Sequence, residues 1–179
     1  MTAKPKLLVH LCCAPDALYV LGLLQPDHDV SGFFYNPNIH PPEEYRLRLE
    51  ETHKVADILK TPVILGDYHP EIWHRLTAKY VKESEKGWRC NICYSMRLHQ
   101  TAREALRHGF DKFGTVMSLS PWKKAEAINR TGKMFGRRLG IEFLEADFKK
   151  KDGFKKSIEL SRTHGLYRQN YCGCIHSMR

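Results

Sequence analysis

One junction near the amino end constrains the fold most. Leu7-Leu8-Val9 is a short apolar run, His10-Leu11-Cys12-Cys13-Ala14-Pro15-Asp16 follows it, and an apolar helical pattern runs from Ala17-Leu18 to Leu23-Leu24. Strand, tight turn and helix in that order open a parallel α/β sheet, where ligands bind at turns leaving the carboxyl ends of strands. This turn holds two thiols and a carboxylate where a nucleotide-binding fold holds glycines.

The same alternation continues. Strands are expected over 6–11, 30–35, 61–65, 113–117 and 141–144. Helices are expected over 16–24, 42–59 and 70–80, then from Cys90-x-x-Cys93 to a stop at Gly109, from Ser120-Pro121 through Arg138, and up to Gly165. Pro42 suits the first position of its helix, with Glu43 and Glu44 in the first turn. The loop Asn36-Pro37-Asn38-Ile39-His40-Pro41 is stiffened by proline. Gly132-Lys133 and Gly136-Arg137 fall inside a helical pattern and read as a solvated basic face. The pattern predicts a single domain over 1–179: a Rossmann-like parallel sheet of about five strands, with helices on both faces.

The chain has 179 residues, enough for a substantial core. No apolar run reaches the roughly 18 residues of a membrane span, and the stretch from Met1 to Lys6 is too short and polar for a signal peptide. A cytoplasmic protein is expected, with no membrane partner. The net charge is +9, unevenly placed: residues 1–111 carry 14 Lys+Arg and 14 Asp+Glu, whereas 112–168 carry 14 and 6. That asymmetry suits a face that meets phosphate, or a basic solvated surface.

Six cysteines in a reducing compartment point to metal or catalysis rather than disulfides. They form three pairs, Cys12-Cys13, Cys90-x-x-Cys93 and Cys172-x-Cys174, each at an element boundary. One C-x-x-C knuckle is too few for the common structural zinc pattern. Four thiols serve a 4Fe–4S cluster and two remain. Those two with Asp16 could hold a second, mononuclear metal; Asp16 also suits a plain helix-start carboxylate. A thioredoxin-like pair fits the element order poorly, and no G-x-G-x-x-G or Walker A pattern is present. His10 and His40 border the presumed site and read first as local hydrogen-bonding residues.

Several blocks resemble the cobalamin-independent epoxyqueuosine reductases. They are Leu8-Val9-His10-Leu11-Cys12-Cys13-Ala14-Pro15; Phe33-Phe34-Tyr35-Asn36-Pro37-Asn38-Ile39-His40-Pro41 with Glu44-Tyr45 and Arg48; Arg89-Cys90-x-x-Cys93-Tyr94-x-Met96-Arg97-Leu98; Ser118-Leu119-Ser120-x-Trp122-Lys123; and Tyr167-Arg168-Gln169-x-Tyr171-Cys172-Gly173-Cys174-Ile175-x-Ser177. They occur in order over nearly the whole chain. Many relatives read Cys-Cys-Ala-Pro-Cys where this chain has Asp16, which fits a carboxylate ligand to a second iron.

The resemblance implies the last step of queuosine synthesis, two-electron removal of the epoxide oxygen from epoxyqueuosine at the wobble position of tRNA. It implies a 4Fe–4S cluster, an adjacent iron, a tRNA partner and an external low-potential electron donor. Cys12, Cys13, Asp16, Cys90, Cys93, Cys172 and Cys174 are then the metal ligands, at the carboxyl end of the sheet and closed by the C-terminal tail. Asp16, Tyr35, His40 and Tyr94 are candidate catalytic groups, with His10 also open as proton donor. Trp122, Tyr167 and Tyr171, like Tyr35, are candidate base platforms, each equally able to be a packing aromatic. Lys123, Lys124, Arg130, Arg137 and Arg138 are candidate tRNA contacts. A zinc-stabilised RNA-binding module without redox activity, and a thiol-transfer or nucleotide-dependent tRNA-modifying enzyme, are the competing readings.

Overall fold

The computed structural model describes residues 3–178; Met1, Thr2 and Arg179 lie outside the described residues. Five strands form one parallel sheet: β1 (Lys6–Leu11), β2 (Asp29–Phe34), β3 (Val63–Leu65), β4 (Lys112–Thr115) and β5 (Glu142–Phe143), in the order β3-β2-β1-β4-β5. The order reverses between β1 and β4. Both strands flanking β1 pair with it through His10, which lies opposite Phe33 on one side and Thr115 on the other.

Six helices connect them: α1 (Ala14–Leu24), α2 (Pro42–Leu59), α3 (Pro70–Thr77), α4 (Trp88–Arg107), α5 (Ala125–Leu139) and α6 (Gly153–Thr163). α1 packs against α2 and α6, and α4 against α5, in two layers covering opposite faces of the sheet. The sheet is buried on both sides, so Leu7, Leu8, Val9 and Leu11 of β1 are all fully buried. Among the described residues no helix is long and apolar enough to cross a membrane.

The expected architecture holds, with two corrections. The basic helix does not open at Ser120-Pro121. Val116–Leu119 is a 3-10 turn, Ser120 is extended, and α5 starts at Ala125. Proline removes an amide donor and pushes the residue before it away from helix, and the Lys123 amide instead closes a turn on the Ser120 carbonyl at 3.2 Å. This leaves Trp122 and Lys123 on a loop beyond β4. Second, Gly132 and Gly136 are not part of a solvated face. Both are buried. A Cβ on Gly132 would lie 2.4 Å from the Phe143 ring, and one on Gly136 would lie 2.7 Å from the Ile141 carbonyl oxygen. The two glycines let α5 lie directly on β5; the neighbouring Lys133 and Arg137 are the exposed residues.

Gly136→Val should therefore cost about 1–3 kcal/mol, because backbone must move to admit the side chain. Urea denaturation checks this; an unchanged midpoint contradicts the close approach.

Candidate metal centre

β1 ends at Leu11, and its next two residues are the first thiols. Cys13 is extended and caps α1 without a side-chain hydrogen bond; Pro15 and Asp16 occupy the first turn. Sulfur is therefore presented where α1 begins. Cys12, Cys13 and Asp16 are all buried, and their donor atoms lie within 4.8 Å of one another. The first turn of α4 carries Cys90, with Cys93 one turn on, from the opposite layer of the sheet. The third pair arrives on the tail, which follows α6 and turns back through Gly173 at φ 109°. A Cβ there would lie 2.8 Å from Ile39, so both conformation and space call for glycine.

The tail is fastened by buried polar groups. Arg48 of α2 pairs with Glu44 at 2.6 Å and donates to the carbonyls of Tyr171 (3.1 Å) and Cys172 (3.2 Å). Its guanidinium also lies over the Tyr171 ring. The Tyr167 hydroxyl donates to Glu44 at 2.9 Å, its amide donates to Glu51 at 2.8 Å, and the Tyr171 hydroxyl donates to the His40 carbonyl. The His40 amide donates to the Gly173 carbonyl at 2.7 Å. The tail thus closes the carboxyl end of the sheet.

Six free thiols are distributed between two adjoining cavities and a group beside one of them. Cys90, Cys93, Cys172 and Cys174 line one cavity, with Trp73, Tyr94 and Arg97. Cys12 and Asp16 line the other, with Arg48, Phe154, Arg168 and Tyr171. Glu85, Trp122, Lys123, Cys172 and Ser177 belong to both walls.

The electrostatics follow from burial and close pairing. A hydrogen bond from Cys13, aided by Lys123, Arg97 and Arg48, brings the Cys12 thiol down to about 5, whereas Cys13 is pushed well up by its Cys12 partner, burial and Asp16. Burial and the Cys12 charge raise Asp16 to about 6. The tail pair behaves alike: its mutual hydrogen bond, with Lys123, lowers Cys172 and raises Cys174. Burial raises Cys90 and Cys93. Burial also opposes the charges of Lys123 and Arg97, but nearby sulfur outweighs it and both are held above their ordinary values, Lys123 chiefly by Cys12 and Arg97 chiefly by Cys93.

The other expected residues lie in varied places. Tyr94 lines the four-cysteine cavity, where burial and Cys90 keep its phenol protonated. Tyr35 stacks on Phe33, and neither it nor His40 is among the residues lining the two cavities. His40 places its Nδ1 2.8 Å from the Asn38 carbonyl, and its ring is 4.5 Å from that of His74. His10 is a structural bridge. The Met117 amide donates to Thr115 Oγ1 at 3.1 Å, Thr115 Oγ1 lies 3.1 Å from His10 Nδ1, and Nε2 lies 3.1 Å from the Tyr35 carbonyl. That chain is satisfied by a neutral ring with its proton on Nε2, and burial lowers the His10 pKa accordingly. Lys124 caps α5, Arg130 is exposed along it, and Arg137 and Arg138 occupy its last turn, at the end of the helix away from the site.

Sequence reasoning did not single out Arg97, Trp73 or Ser177 as site residues. Arg97 and Ser177 lie in the family-like stretches 89–98 and 167–177; Trp73 carries no signal of its own.

Fold and site together define a class: a parallel α/β domain whose switch-point crevice is lined with thiols and cations instead of a phosphate loop. The structure of U34-tRNA thiolase NcsA from Methanococcus maripaludis with its [4Fe-4S] cluster shares the fold, with TM-score 0.60 and 12% identity over 99% of this chain and 63% of that one. The family model for epoxyqueuosine reductase QueH matches residues 7–179. Proteins of that name from Acinetobacter baylyi and Staphylococcus epidermidis are 38% and 36% identical, covering 97% and 96% of this chain and 81% and 76% of theirs. The chain belongs to the epoxyqueuosine reductase QueH family.

Arg48→Leu should cost about 3–5 kcal/mol, since it strands Glu44 and frees two tail carbonyls. Limited proteolysis should then cut within 166–178; a tail as resistant as in the parent protein contradicts the clamp.

Proposed function

We propose that this protein reduces epoxyqueuosine to queuosine in tRNA without cobalamin, using a 4Fe–4S cluster and an adjacent iron. The observation that carries the reading is the partition of the six thiols. A 4Fe–4S cluster takes four thiolates, one per iron, and Cys90, Cys93, Cys172 and Cys174 line one cavity, whose lining holds no imidazole and Glu85 as its one carboxylate. Among the described residues, only Cys12, Cys13 and Asp16 bring three donors within 4.8 Å. No three of the four sulfurs lie within 4.8 Å of one another, as the ligands of a lone zinc at about 2.3 Å from each sulfur would, which favours a cluster over structural zinc. Two thiolates and a carboxylate suit a single iron with open positions.

When bound, the cluster supplies electrons one at a time and the iron supplies Lewis acidity toward the epoxide oxygen. Loss of that oxygen as water consumes two electrons, from an external low-potential donor, and two protons. Lys123 Nζ belongs to the wall shared by both cavities and offsets negative charge that builds on the oxygen. Tyr94 lines the cluster cavity with its phenol protonated and Tyr171 lines the Cys12 cavity, and Tyr94 is the candidate proton donor on the cluster side. Asp16 serves as ligand, and Tyr35 and His40 act through packing. Trp122, Tyr171 and Phe154 give the Cys12 cavity aromatic walls suited to a splayed base, while Lys124, Arg130, Arg137 and Arg138 lie along α5 where a phosphate backbone can follow. Tyr167 contributes by holding the tail.

Anaerobically reconstituted protein should be brown with about four to five irons. Cys90→Ala or Cys93→Ala should lose both the iron–sulfur absorbance and turnover. Asp16→Ala should keep the absorbance, lose about one iron and lose turnover. Colourless protein holding one zinc overturns the reading, and full turnover of the Asp16 variant removes the adjacent iron from it.

A further inference from the structure

Two of the four thiols in the four-cysteine cavity accept from a backbone amide, and a third lies beside a hydroxyl. Cys90 Sγ accepts from the Lys86 amide at 3.3 Å, Cys174 Sγ accepts from the His176 amide at 3.4 Å, and Cys172 Sγ lies 3.0 Å from Ser177 Oγ. The fourth is Cys93. Trp73 of α3 packs against it, in one buried cluster with Cys172 and Cys174, and lines the same cavity.

Trp73 is completely buried. Its indole Nε1 finds no acceptor of ordinary hydrogen-bond geometry among the described residues. A buried N–H left unpaired carries its whole desolvation penalty, so a partner is called for. The rings of His40, His74 and His176 also border Trp73 without accepting from Nε1, and none of them lines the cavity, so on the cavity side sulfur is the acceptor.

We propose that Trp73 donates its indole N–H to the Cys93 sulfur and thereby raises the reduction potential of the cluster bound there. The inference rests on the cluster reading given above. Adding an electron makes the cluster and its thiolates more negative. A donor aimed at a ligand sulfur stabilises that state more than the oxidised one, and hydrogen bonding to sulfur is one of the levers that set such potentials. Trp73 would give Cys93 a donor as the backbone amides of Lys86 and His176 give one to Cys90 and Cys174. Lys86 and His176 donate through backbone, and the Ser177 hydroxyl donates to the Cys174 carbonyl at 2.8 Å, so Trp73 is the donor that side-chain replacement can remove. Trp73 stands on the α3 side of the cavity, away from Cys12 and Asp16, so its effect falls on electron transfer and not on substrate contacts.

The test is a redox titration of the reconstituted holoprotein, followed by electron paramagnetic resonance of the reduced cluster. Trp73→Phe keeps most of the ring packing and deletes the donor. It should retain four irons and sulfide and titrate at a more negative potential than the parent. An unchanged or more positive potential with a full cluster overturns the Trp73 assignment and leaves the cluster reading standing. Absence of four irons and sulfide in the parent protein overturns the cluster reading itself. Should Trp73→Phe fail to hold a cluster, parent protein carrying ¹⁵N-indole tryptophan decides. A weak nitrogen coupling in pulsed spectra of the reduced cluster supports the assignment, and no coupling overturns it.

Discussion

The structure depends on the compensation of buried positive charge by sulfur. Arg97 is only 2% exposed, and its polar contacts are the Cys93 carbonyl at 3.2 Å and the Tyr94 ring. No carboxylate pairs with it among the described residues. A guanidinium in that position is tolerable only if negative charge faces it, because isolated buried charge costs several kcal/mol. The groups facing it are thiols. Lys123 repeats the argument between the two cavities, where Cys12 and Cys172 are the two thiols most disposed to ionise. Cations and thiolates therefore fix one another, and the tail must close over them for the balance to hold. Arg48, whose charge is met by Glu44, spends its remaining donors on that closure.

This balance explains why the site sits at the strand-order reversal. In related sheets the crevice beyond β1 and β4 receives phosphate on glycine-rich backbone. Here Cys13 stands at the helix entry, and Asp16 takes the first-turn position that the helix dipole favours for an anion. The extended Ser120-Pro121 segment keeps α5 from starting early and leaves Lys123 free to reach inward. α5 then lies on β5 through Gly132 and Gly136, which brings the loop ahead of it to the mouth of the crevice.

Much of this was legible in the sequence. Strand–helix alternation gave the sheet, and the three cysteine pairs at element boundaries gave a thiol centre at its carboxyl end. The division of those thiols was not legible. Neighbours in sequence on β1's exit stay together, whereas Cys90/Cys93 and Cys172/Cys174 meet only through tertiary closure of α4 and the tail. Arg97 lies one turn beyond Cys93 and was hidden by an otherwise ordinary helical pattern. Gly132 and Gly136 read as surface because their neighbours are basic; only the closeness of Phe143 shows what they do. Trp73 was silent, since nothing local distinguishes a core tryptophan from one that faces sulfur.

The central claim is that two separate metal sites share one crevice. Anomalous diffraction at the iron edge from an anaerobic crystal tests it most directly. The account predicts strong iron signal among Cys90, Cys93, Cys172 and Cys174, and a second, single-atom signal beside Cys12, Cys13 and Asp16. A single isolated ion in the crevice, or no iron signal between the four thiols, contradicts it.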